Sequence, residues 1–144
     1  MSYIKISDFW EVMCKKLGYN LYLGSPTLEL KLLFDTMSPE NLHYIPTISE
    51  AVAVNMASGA YMSGVKSVVL ISTKQLELLD YNINKFNIIY NIPFLFVTGN
   101  DFNPLNIKQF VLNKKLSILH DIDDYMYKTD FKPSILVLPQ GVLS

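Results

Sequence analysis

The chain has 144 residues, 50% of them hydrophobic and 17% charged, with a formal net charge of -1. One domain over 1–144 is the natural size for that length. So apolar and nearly neutral a chain is not a disordered one, and it lacks the basic excess that grips a nucleic-acid backbone.

Ile6, Phe9, Trp10, Met13 and Leu17 recur at helical spacing before Gly18, which predicts a helix over 6–17. Tyr19-Asn20-Leu21-Tyr22-Leu23 reads as a short strand ended by Gly24. Ser25-Pro26 then reads as an N-cap with proline at the first helical position, opening a helix through about Phe34. His43-Tyr44-Ile45 is a second short strand, broken by Pro46, and a long helix is expected over 48–63, closed by Gly64. Ser67-Val68-Val69-Leu70-Ile71 is apolar on both faces, as a central parallel strand must be. A helix over 75–90 leads to the buried strand Pro93-Phe94-Leu95-Phe96-Val97, and a Gly99-Asn100-Asp101 turn follows. A helix near 105–112 and a weaker segment precede the last strand, Ser134-Ile135-Leu136-Val137-Leu138. Short apolar strands alternating with helices predict an α/β fold, a three-layer α/β/α sandwich with a mostly parallel sheet.

The one cysteine, Cys14, lies in an apolar-periodic stretch and reads as a buried free thiol. Met1 to Asp8 contain no apolar leader and no run reaches the ~18–20 residues of a membrane span, so a cytoplasmic protein without a membrane partner is expected. All twelve basic residues are lysines. Without arginine there is no planar fork for a carboxylate, phosphate or sulfonate, and an anion must be held by lysine, by main-chain N–H groups or by another chain.

In open parallel sheets the ligand crevice lies at the carboxyl ends of the strands. Gly24-Ser25-Pro26, Ser72-Thr73-Lys74 and Thr98-Gly99-Asn100-Asp101 occupy such ends, and none is a dinucleotide or P-loop fingerprint. His43 and His120 are far apart, and the cluster His120-Asp121 with Asp123-Asp124 reads as a solvated loop, so no metal site is expected within the chain. Glu50 is the exception in a helix otherwise almost free of charge. Thr47-Ile48-Ser49-Glu50 fits a capping box, in which the glutamate bonds the Thr47 N–H. Ala53, Ala57, Ala60 and Gly64 form a small-residue face that lets another backbone approach closely. At such a seam a glutamate can instead share a proton with a ligand nitrogen.

These pieces in this order resemble the pyrimidine-binding domain of thiamine diphosphate enzymes, most nearly that of the sulfopyruvate and phosphonopyruvate decarboxylases. The resemblance rests on Gly24-Ser25-Pro26, then His43-Tyr44-Ile45-Pro46-Thr47-Ile48-Ser49-Glu50, then Ser58-Gly59-Ala60-Tyr61-Met62-Ser63-Gly64, then the strands beginning at Lys66 and Asn91. It implies that Glu50 is the catalytic group that hydrogen-bonds N1′ of the cofactor's aminopyrimidine. It further implies that Gly24, Ser25, Pro26, Ser72 and Thr73 line the cofactor site, and that a small 2-oxo acid is decarboxylated. The family holds the diphosphate and its Mg²⁺ on a second domain marked by Gly-Asp-Gly, a tripeptide this sequence lacks. A diphosphate-binding partner subunit, in a homo- or hetero-oligomer, is therefore implied, with the cofactor shared between the chains.

Two departures stand out. Ser72-Thr73-Lys74-Gln75-Leu76-Glu77 replaces the family's Gln-Asn-Ser-Gly-rich loop, and Ile48 or Ser49 stands where an arginine often precedes the glutamate. The alternatives are a non-catalytic pyrimidine-domain-like module that oligomerises through the small-residue face, and a flavodoxin-like binding domain in which Glu50 only caps a helix.

Overall fold

The computed structural model describes residues 4–40, 42–72, 75, 95–99, 117–119 and 134–138. The helix predicted over 75–90, apart from Gln75 itself, the helix predicted over 105–112, and the cluster at His120, Asp121, Asp123 and Asp124 lie outside them.

In chain order the elements are α1 (Ile6–Trp10) running into a π-helical turn (Glu11–Lys16), β1 (Leu21–Gly24), a 3-10 turn (Leu28–Leu30), α2 (Lys31–Thr36), β2 (His43–Pro46), α3 (Glu50–Met62), β3 (Ser67–Leu70), β4 (Leu95–Gly99), β5 (Ser117–Leu119) and β6 (Ser134–Leu138). The strands form one sheet in the order β2-β1-β3-β4-β6-β5, and every pairing is parallel. The α/β, parallel-sheet expectation holds. The helix predicted over 6–17 is present but widens into the π turn, and the chain end of that turn is held by Lys66, whose Nζ donates to the Leu17 carbonyl at 2.8 Å.

Alternation along the strands sorts the core into two layers. Tyr22, Val68, Leu70, Leu136 and Leu138 pack with Phe9, Trp10, Met13, Leu30 and Leu33, so α1 and α2 cover one face of the sheet. Leu23, Val69, Ile71 and Ile135 are fully buried outside that cluster, and α3 packs against β1 and β3 with Ala53, Val54 and Ala57 fully buried. The chain moves outward from β1 to β2 and back across β1 to β3. Right-handed crossovers in opposite directions place α2 and α3 on opposite faces, which makes three layers.

The helix expected from Pro26 does not begin there. Residues 25–27 are irregular, and the first helical turn starts at Leu28. The Ser25 hydroxyl bonds the Thr47 carbonyl at 2.6 Å instead of capping a helix. Among the described residues no helix is long and apolar enough to cross a membrane.

Candidate functional site at the sheet switch point

The connection leaving β1 runs to β2 on one side, and the sheet continues through β3 to β4 on the other. The carboxyl ends of β1 and β3 are thus a topological switch point, where such sheets open a crevice. Gly24, Ser25 and Pro26 leave the sheet there, and Ser72 leaves beside them at the end of the β3 segment. Thr47 to Glu50 leave the neighbouring strand β2. Five of the six residues expected in the site therefore emerge from three adjacent strands at one sheet edge. Thr73 is outside the described residues.

Gly24 is required by geometry. Its φ is +145°, and a Cβ added to it would collide with the Leu70 main-chain carbonyl. No other residue lets β1 end so close to β3. The Gly24 carbonyl accepts two hydrogen bonds, from the Tyr44 hydroxyl of β2 at 2.6 Å and from the Thr47 N–H just after β2 at 3.3 Å.

That second bond corrects the capping-box expectation. The Thr47 N–H is engaged by Gly24, and the N-cap of α3 is Ser49, whose hydroxyl accepts from the Val52 N–H at 3.3 Å. The helix accordingly starts at Glu50, two residues later than the sequence spacing suggested. Glu50 occupies the first helical position and is half-buried, and its carboxylate makes none of the hydrogen bonds or ion pairs of the described residues. The Thr47 Oγ1, three residues earlier, is buried and has no hydrogen-bond partner. Buried polar atoms without partners are uncommon, since each costs about 1–3 kcal/mol.

The small-residue face of α3 is also corrected. Ala53 and Ala57 are closed against the chain's own sheet, so the close approach they permit is to β1 and β3. Apolar surface remains on the adjoining flank of α3, where Ile48 is 98% exposed and Val52 and Met56, at four-residue steps, are also exposed. Leu28, in the connection after β1, is 90% exposed.

The Ser72 hydroxyl accepts the Gln75 N–H at 3.3 Å, which leaves its own O–H as a donor. Cys14 is buried, as expected, with its thiol 3.8 Å from the Tyr22 hydroxyl. Tyr44 has no role assigned from the sequence, and Thr47 has only that of the capping box. The cue available was only that a polar-tipped aromatic stands two residues before a strand-ending proline.

No family model matches the chain, and no curated protein matches it. Among solved structures, the chain is similar to a candidate thiamin diphosphate-dependent enzyme from Mycobacterium smegmatis, with a TM-score of 0.65 and 18% identity. The match covers 96% of this chain and 31% of that one, so the chain spans under a third of that protein's length. The likeness is one of fold: both are α/β, and here the sheet is parallel throughout.

Proposed function

We propose that the chain is the pyrimidine-binding subunit of a thiamine diphosphate-dependent 2-oxo acid decarboxylase of the sulfopyruvate and phosphonopyruvate type. The observation that carries this reading is the Glu50 carboxylate, half-buried at the start of α3 and bonded to nothing among the described residues. A carboxylate whose task was to cap its own helix would have used the Thr47 N–H, which is bonded to Gly24 instead.

The residues present fit an aminopyrimidine. Glu50 would hold a proton at the ring's N1′, and the turn at Gly24, Ser25 and Pro26 would offer main-chain groups beside it. When bound, thiamine diphosphate supplies the thiazolium that accepts the electrons left by departing carbon dioxide. Leu28, Ile48, Val52 and Met56 present apolar surface near this edge, suited to cover by a second chain that keeps water out.

The diphosphate and Mg²⁺ fall to that second chain. The sequence has no Gly-Asp-Gly, and no group of three His, Cys, Asp or Glu among the described residues could hold the metal. Catalysis then requires a diphosphate-binding partner, and the chain by itself is inactive.

A non-catalytic relative of this fold is the second reading, and Ser72-Thr73-Lys74-Gln75-Leu76-Glu77 in place of the family's Gln-Asn-Ser-Gly-rich loop favours it. Titration of thiamine diphosphate and Mg²⁺ into the chain, alone and mixed with a diphosphate-binding subunit, separates the two. The first reading expects uptake in the mixture that weakens at least tenfold for Glu50→Gln, about 1.4 kcal/mol. Absence of uptake in every pairing would establish the second.

A further inference from the structure

We infer that Tyr44 is the positioning residue of this site, its hydroxyl holding the end of β1 to β2, the strand that leads into α3, and so fixing where Glu50 stands. The inference rests on the proposed function only for what Glu50 does once placed.

Three hydrogen bonds form a clasp between the two strand ends. Tyr44 Oη donates to the Gly24 carbonyl at 2.6 Å, the Thr47 N–H donates to the same oxygen at 3.3 Å, and the Ser25 hydroxyl donates back to the Thr47 carbonyl at 2.6 Å. The main-chain bond is long for its kind, while both side-chain bonds are short. On its other flank Gly24 is blocked by the Leu70 carbonyl, so the β1 end is trapped between β3 and the tyrosine.

Tyr44 can hold this position because it is itself held. Its ring meets the Phe34 ring edge-on, with centroids 5.5 Å apart and planes at 68°. Phe34 belongs to α2, so the tyrosine ties the helix layer, the β1 end and the β2 end to one point. Burial also pushes the Tyr44 hydroxyl pKa up, which keeps it a donor throughout the physiological range.

From the clasp the chain to Glu50 is short and stiff. Thr47 is bonded at both its N–H and its carbonyl, and Ser49 locks the first turn of α3 through the Val52 N–H. A shift of the Gly24 carbonyl is therefore passed to Glu50 with little slack. If Tyr44 only filled space, a phenylalanine would serve as well, because the ring contact with Phe34 does not use the hydroxyl.

Tyr44→Phe is the test, read by two measurements. Hydrogen exchange at the Thr47 amide, with the Val68 and Val69 amides of β3 as internal references, reports the clasp without any cofactor. Loss of one hydrogen bond of about 1 kcal/mol should speed Thr47 exchange about fivefold and leave the β3 amides unchanged. Ser25→Ala should speed the same amide, and the two variants together should fall short of additivity, since they open one clasp. Unchanged Thr47 exchange in Tyr44→Phe overturns the inference.

The second measurement is a titration with thiamine diphosphate and Mg²⁺ in the presence of a diphosphate-binding subunit. A dissociation constant raised about fivefold in Tyr44→Phe, with the melting temperature nearly kept, supports positioning of the site. Binding equal to wild type despite faster Thr47 exchange overturns it. If wild type itself takes up no cofactor, the proposed function fails, and the exchange result alone then decides the clasp.

Discussion

The Thr47 N–H donates to the Gly24 carbonyl across 3.3 Å, and this denies Glu50 the main-chain donor of a capping box. Capping falls to Ser49, while the Thr47 hydroxyl is left buried and unpaired. The two hydroxyls should therefore respond oppositely to removal. Ser49→Ala should lower stability by about 1 kcal/mol, the usual worth of an N-cap. Thr47→Val keeps the shape and removes an unsatisfied group, and should be neutral or stabilising by about 1 kcal/mol. Urea unfolding of both variants checks this. A capping box would give the reverse order.

Gly24 joins a positive φ to a contact that excludes any side chain. Gly24→Ala must either distort the β1 end or push β3 away at Leu70. A loss of about 3 kcal/mol is expected, from strain and steric clash together. The corresponding change at Gly18 adds no clash, because nothing lies within 4 Å of a Cβ there, although its φ is also positive at +77°. The Gly24 variant should thus lose clearly more than the Gly18 variant in thermal denaturation.

Alkaline pH should destabilise the fold. Burial raises the Cys14 thiol above its usual 9.0 and the Tyr22 and Tyr44 phenols above 10.0, and for Tyr22 proximity to Cys14 adds to the effect. In each case the folded chain keeps a proton that the unfolded chain gives up. The stabilisation is whole below about pH 9 and declines above it, by about 1.4 kcal/mol per pH unit for each group fully titrating only when unfolded. Tyr22→Phe removes the largest contribution and should flatten the alkaline limb of a stability–pH curve. An unchanged limb would mean that the Tyr22 phenol does not govern it.

The sheet was legible because its strands are short apolar runs between turn residues, and Ser67 to Leu70 shows this most plainly. β5 was not legible: with three residues, Ser117 to Leu119, it is too short for its pattern to stand out. Ser25-Pro26 imitates a helix start, yet the Ser25 hydroxyl is drawn to Thr47, twenty-two positions away, and the helix begins later. Helical spacing showed that α3 has a small-residue face, but spacing does not say whose backbone approaches, and it is the chain's own sheet. Glu50 was visible as a charge in an apolar helix. The Tyr44–Gly24 bond was not, because it spans twenty residues and depends on the parallel register of β1 and β2.

The central claim is that the Glu50 side chain serves a cofactor rather than its own helix. Its most direct test is carbon dioxide release from a panel of 2-oxo acids by the chain mixed with a diphosphate-binding subunit, thiamine diphosphate and Mg²⁺. The account predicts turnover by the mixture, none by either chain alone, and a loss of at least a hundredfold for Glu50→Gln at unchanged stability, about 2.7 kcal/mol in the barrier. Turnover by the Glu50→Gln mixture at the wild-type rate would contradict it.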